Sequence, residues 1–188
     1  NLCYVSGENI YITEMCFGSD DSDVDQTSIR KISYENGTLT GIAQAKVDGI
    51  LNDSFSIDEY EGYLRLVTTI SPSSDIALYP MPRVGSSEEE IDSQVKDTNA
   101  LFVLDGNLET VGEIRDLAED ESVYSARFMG DTGYFVTFRQ VDPLFSVDLS
   151  DPSDPKIIGE LKIPGFSEYL HPYGEGLLLG IGMDVDES

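Results

Sequence analysis

The stretch "SDDSDVDQ", Ser19 to Gln26, sets Asp21, Asp23 and Asp25 at alternate positions with Asp20 beside them. Several carboxylate oxygens at such density suit a hard cation such as Ca²⁺. An EF-hand loop would need Gly after its third acid and Glu at its twelfth position, and Gln26 and Ile32 stand there instead. The stretch therefore reads as a solvated acidic loop. No cofactor is expected from the sequence; Ca²⁺ at Asp21, Asp23 and Asp25 is the one ion it would suit. "MDVDES", with Asp184 and Asp186, reads the same way. His171 is the sole histidine and precedes Pro172. A nucleophilic triad would need it beside an activated Ser or Cys, and no Gly-x-Ser-x-Gly elbow occurs in the chain. A zinc site built from this single His, acids and distant cysteines has little to recommend it.

Cations are the scarcer resource, with 11 Lys and Arg against 36 Asp and Glu. Arg127 in "YSARFMG" is a long cation on a strand-like run, and Arg139 and Asp142 face each other across a short connection. Arg65 lies inside "YLRLV". Such groups either pair with acids and staple elements together, since a lone buried charge is unfavourable, or form an anion-binding spot. Arg127, Arg139, Asp142 and His171 are accordingly the candidate interaction residues. Paired carboxylates for glycoside hydrolysis are no guide here, because so many acids supply many pairs. The sequons Asn36-Gly37-Thr38 and Asn52-Asp53-Ser54 are short enough to arise by chance.

The elements that must hold these groups are short strands. Apolar residues alternate in "NIYIT", "YLRLVTT", "ALFVLD", "YFVTF" and "LFSVDL", with Gly, Pro, Asn and Asp between the runs. No segment has a helical period. Gly62, Gly133 and Gly176 each begin an apolar strand, and Thr27, Thr98 and Val141 each lie 35 positions earlier. The unit is four strands, and its shortest spacing of 43 residues, Gly133 to Gly176, suits one propeller blade of about 40–45 residues. Only the link between second and third strands varies: Glu14 to Gln26, Ile70 to Asp97, or Arg139 and Gln140 alone. Such inserts should leave one face of the ring.

The predicted fold is all-β, a β-propeller segment with three complete four-stranded blades, about 1–49, 50–119 and 120–165, and part of a fourth, 166–188. Its innermost strands are "NLCYVS", "DSFSID", "VYSARF" and "SEYLHP". The repeat aligns Arg127 with Ser56 and Leu170. The three Asp-Pro steps at Asp142, Asp151 and Asp154 then read as punctuation at strand starts and a tight turn. Lys156, Lys162 and Pro164 decorate an outer edge. "SSEEEIDSQVKD", Ser86 to Asp97, reads as a polar insert, flexible or briefly helical. If "SGEN" turns a hairpin, Cys3 sits opposite Ile12 and roughly 13 Å from Cys16, so a disulfide would require the chain to fold back after Met15; free or buried thiols are the expectation, and the redox compartment is left open.

The net charge of −25 argues against nucleic acid and anionic membrane as partners. No apolar run approaches the ~18 residues of a membrane span. The chain opens and closes beside strands, as a segment of a longer protein would, so a missing leader carries no weight.

"FSIDEYEGYLRLVTT", "YSARFMGDTGYFVTFRQVDPLFSVDLSDPSDPKIIGELKIPGF" and "YLHPYGEGLLLGIG" resemble the secreted bacterial and archaeal beta-propeller domain family, distantly akin to WD-repeat propellers. The resemblance covers most of the chain and is strongest over Asn52 to Thr69 and Ser122 to Gly182. It implies export, a propeller within a longer protein and no established activity, and it assigns no catalytic residue. The WD dipeptide and the sialidase Asp-box both need Trp, and there is none. The expectation is a non-catalytic module binding protein or glycan at the surface of a bacterium or archaeon, with self-association as one route to a complete ring. A carboxylate-based hydrolase and a calcium-dependent surface protein are the alternatives.

Overall fold

The computed structural model describes residues 1–17, 22–71, 96–138, 142–163, 166–174 and 176–183, and these carry fourteen strands and no helix. The first sheet comprises β1 (Leu2–Val5), β2 (Asn9–Cys16), β3 (Gln26–Glu35) and β4 (Thr38–Asp48), in that spatial order. The second comprises β5 (Ile57–Tyr60), β6 (Tyr63–Ile70), β7 (Thr98–Leu104) and β8 (Thr110–Leu117). The third comprises β9 (Ser122–Met129), β10 (Thr132–Phe138), β11 (Asp142–Asp148) and β12 (Lys156–Ile163). β13 (Phe166–Gly174) and β14 (Leu177–Met183) form a two-stranded start of a fourth. Every pairing is antiparallel between chain neighbours, the up-and-down order of a propeller blade.

Side-chain alternation decides what lies between the sheets. Along β6, Leu64 and Leu66 enter one core and Val67 the other; along β7, Ala100, Phe102 and Leu104 oppose Leu101 and Val103 in the same way. The middle sheet is covered on both faces, so its strands read as nearly continuous apolar runs. Tyr11, Ile29 and Val47 of the first sheet join the first core, and Phe135, Phe145 and Val147 of the third join the second. Each fully buried Leu or Phe contributes roughly 1.5–3 kcal/mol relative to exposure. Among the described residues, the end sheets are covered on one face only. Val5 and Ile12 remain exposed on the first, and Leu177, Leu179 and Ile181 project at alternate positions of β14, about half exposed each.

Turn chemistry sets the registers. Glu61 and Gly62 both take positive φ, 52° and 84°, between the paired Tyr60 and Tyr63, the tight hairpin geometry that matches strand twist. Gly176 holds the same place before β14. Gly133 does not: the third-sheet turn is Gly130-Asp131, and Gly133 lies inside β10, paired with Phe128 and Val147. The glycine repeat is thus two residues out of step there, which preserves strand parity. A second departure concerns "DSFSID". Only Ile57 onward is strand, because the Asp53 carboxylate accepts from the backbone N–H of Phe55 (2.8 Å) and Ser56 (3.2 Å) and turns the chain first.

The Asp-Pro steps behave as punctuation. Asp151-Pro152 begins a turn closed by Asp154 N–H donating to Asp151 O at 3.1 Å, with Ser153 capping the Asp151 carboxylate. That turn seats against Gly112 of β8, where an added Cβ would lie 2.8 Å from Pro155 Cδ and closer still to Pro152 O. Cys3 pairs with Ile12, and both cysteines are free. The described feet of the two long inserts touch, Asp25 N–H donating to Ser71 O at 3.3 Å, so both leave the same end of their sheets. Most of Ser86–Asp97 lies outside the described residues.

Candidate functional site

Successive sheets of a propeller can share a neighbour only near the axis, where their first strands converge. β9 is such a strand, and it packs against β13 and β6. Arg127 projects from it, half-buried. Its Nε donates to Leu170 O on β13 at 2.9 Å. Its guanidinium carbon lies 3.9 Å from the centre of the Phe55 ring and 5.2 Å from that of Tyr169. The two rings meet edge to face at 5.7 Å. Three consecutive sheets therefore contribute to one cluster: Phe55 ahead of β5, Arg127 on β9, and Tyr169 on β13. A guanidinium on aromatic faces gains ~0.5–2 kcal/mol per site depending on desolvation.

Local chemistry fixes each member. The Asp53 turn that shortens β5 is what presents Phe55, and Asn52 Nδ2 donates to Tyr124 O at 2.8 Å, tying that turn to β9. The Tyr169 hydroxyl lies 3.1 Å from His171 Nδ1, two residues on and so on the same face of β13. Phe55 and His171 are exposed, so the cluster has an open side.

A second polar chain runs between sheets and is closed. Arg65, 3 % exposed, pairs with the Asp58 carboxylate, donates to Gly130 O at 2.5 Å in the third sheet, and stacks on Tyr60 (4.8 Å) and Phe128 (5.2 Å). Asp58 in turn accepts from the Tyr4 hydroxyl of the first sheet at 3.4 Å. Next to it the buried Glu59 accepts from Asn9 Nδ2 at 2.7 Å and from the Ser6 hydroxyl, with Lys31 Nζ at 3.9 Å. Burial and the charge of Glu59 push the Tyr11 hydroxyl far above its ordinary pKa, though the hydroxyl makes no hydrogen bond of standard geometry. These groups staple blades, so Arg65 takes the stapling role, one of the two readings the sequence leaves open for it.

Among the described residues, the carboxylates whose pKa is displaced move down. Burial works to raise Asp48, but hydrogen bonds from Gln26 and Arg115 outweigh it. Hydrogen bonds from Ser150 and Ser153 lower Asp148 and Asp151. A general acid at neutral pH needs the opposite displacement.

Of the residues singled out from sequence, the structure brings together Arg127 and His171, through Tyr169. Asp142 opens β11 with its backbone paired to Ile163; its side chain, Arg139 and Asp21 lie outside the described residues. Asp23 is exposed and Asp25 buried, and among the described residues no three His, Cys, Asp or Glu side chains form a metal-holding group. The sequence reading does not single out Phe55 and Tyr169, yet the repeat carries a signal. It aligns Arg127 with Ser56 and Leu170, their immediate neighbours, and equivalent heights on first strands converge at the axis.

Comparison with known proteins agrees with this architecture. The chain is 40 % identical over 166 residues to an uncharacterised protein of Methanocaldococcus jannaschii, covering 87 % of the chain and 23 % of that protein. It is 43 % identical over 162 residues to an uncharacterised protein of Archaeoglobus fulgidus, covering 86 % of the chain and 22 % of that protein. It thus spans less than a quarter of the length of these relatives. The family model described as Beta propeller domain matches residues 1–188, and the chain belongs to that family.

Proposed function

We propose that this chain is part of a non-catalytic interaction module of a secreted or cell-surface protein, and that its contact point is the open side of the Arg127 cluster. The observation that carries this reading is the convergence of Phe55, Arg127, Tyr169 and His171 from three sheets, with Phe55 39 % exposed. An exposed Phe and a half-buried Tyr beside a held arginine include the residue types that dominate recognition surfaces. The charge of −25 favours a protein or glycan over nucleic acid. Equilibrium binding of the purified chain to arrayed surface glycans and envelope proteins tests this, with Phe55→Ala and Tyr169→Ala expected to abolish the signal. Turnover of chromogenic glycosides that persists through purification and falls when one carboxylate is replaced would overturn it.

A separate observation favours self-association of the isolated chain. Leu177, Leu179 and Ile181 form an exposed apolar row on the last sheet, and Val5 and Ile12 are exposed on the first. A second copy covering these faces would bury what a neighbouring blade buries elsewhere. Sedimentation should show a dimer or larger species that Leu179→Glu reduces to monomer; a monomer at high concentration counts against it.

A further inference from the structure

We propose that the Arg127 cluster binds a carboxylate, and specifically the carboxylate of a uronic-acid sugar; the proposal rests on the interaction-module reading above. Four arginines have described side chains. Arg30 pairs with Glu14, Arg65 with Asp58, and Arg115 with Asp48 and Glu113. Arg127 alone has no carboxylate partner among the described residues, in a chain with 36 acids. Its charge is held instead by two rings and one carbonyl.

The committed donor is Nε. The end of the guanidinium, with Nη1 and Nη2 side by side, is uncommitted among the described residues, and that pair of parallel N–H groups matches the two oxygens of a carboxylate. Because two ring contacts and the Leu170 O hydrogen bond already hold the guanidinium, little side-chain freedom is lost on binding.

Charge selects within the anions. A surface of −25 repels every anion at long range, and a dianionic phosphate about twice as strongly as a monoanion. One carboxylate is thus the better fit. The neighbours select further. The Tyr169 hydroxyl and the exposed His171 imidazole offer hydrogen-bonding groups beside the guanidinium, which suits a ligand that carries hydroxyls next to its single charge. A uronic acid has that arrangement, whereas an acidic peptide brings further charges to a repelling surface.

The chain has one histidine, so a proton NMR signal of the His171 ring reports on this cluster without labelling. Sodium glucuronate is titrated at pH 7.5 and constant ionic strength, with glucose, inorganic phosphate and N-acetylglycine as parallel probes. The expected result is a saturable shift with glucuronate and at least tenfold weaker effects from the other three. Arg127→Met should abolish the shift. Arg127→Lys, which keeps charge and fold but not the fork, should weaken it about tenfold. An equal response to glucose would overturn the carboxylate, and tighter phosphate or N-acetylglycine binding would overturn the uronic acid. If no probe shifts His171 while array binding persists, the ligand class is refuted and the interaction module survives. If array binding fails as well, the underlying reading has gone with it.

Discussion

Replacing Asn99 by Ala should unfold the joint between the second and third blades. Asn99 is fully buried on β7, in a run that otherwise reads as pure core. Its Oδ1 accepts from the Thr69 hydroxyl at 2.9 Å and from Val123 N–H at 3.1 Å. Its Nδ2 donates to Leu117 O at 3.0 Å and Glu121 O at 2.9 Å, the two ends of the segment that leaves β8 and enters β9. Val123 N–H keeps a second acceptor in the Thr69 hydroxyl at 2.9 Å, so the loss falls on the two carbonyls. Each buried polar group left without a partner costs ~1–3 kcal/mol. Asn99→Ala should therefore destabilise by about 3 kcal/mol, which for a chain of this size lowers Tm by roughly 6–12 °C. Urea unfolding followed by far-ultraviolet circular dichroism and by tyrosine fluorescence measures it, with coincident transitions confirming two-state behaviour. Asn99→Asp should be worse than Ala, because it turns a carboxylate oxygen toward two carbonyls. A change within ~1 kcal/mol for Ala, or a milder effect for Asp, would refute the assignment of that amide as the tie between blades.

Three further outcomes follow from the packing. Gly112→Ala drives a methyl into the Pro152–Pro155 turn and should cost about 1–3 kcal/mol; an unchanged urea midpoint would show that the turn is not seated there. Arg65→Met removes a guanidinium that serves Asp58, Gly130 O and two rings. It should lower stability by about 2–4 kcal/mol, with Asp58→Asn in the same background recovering part of the loss. For Tyr11 the folded-state pKa is raised, so its contribution is intact below the unfolded value of about 10 and is lost as pH rises beyond it. Tyr11→Phe should flatten the alkaline limb of stability by up to about 1.4 kcal/mol per pH unit; an unaltered slope between pH 10 and 11 argues that Tyr11 ionises normally.

Much of the scaffold was readable along the chain. Alternation in "LCYV" and "NIYIT" with a turn between them places Cys3 against Ile12, and that register is observed. The varying link between second and third strands falls where the repeat puts it. Where the reading slipped, a turn was responsible. The Asp53 carboxylate claims two backbone N–H groups and delays β5 to Ile57. Gly130, not Gly133, takes the positive φ of the third hairpin. Inside "TNALFVLD" nothing local marks Asn99 as a satisfied buried amide and not a solvent-facing one.

Strand period, hairpin chemistry and the four-strand repeat belong to the sequence by itself, because each depends on residues a few positions apart: a side chain alternates by geometry, and Asn, Asp, Gly and Pro bias the backbone where they stand. The tertiary structure decided which faces are covered and which distant groups meet. Phe55, Arg127 and Tyr169 come from three different sheets, and only the convergence of first strands near one axis sets a guanidinium on two rings. That convergence comes from sheets packing on one another, and the chain order within any single sheet does not contain it.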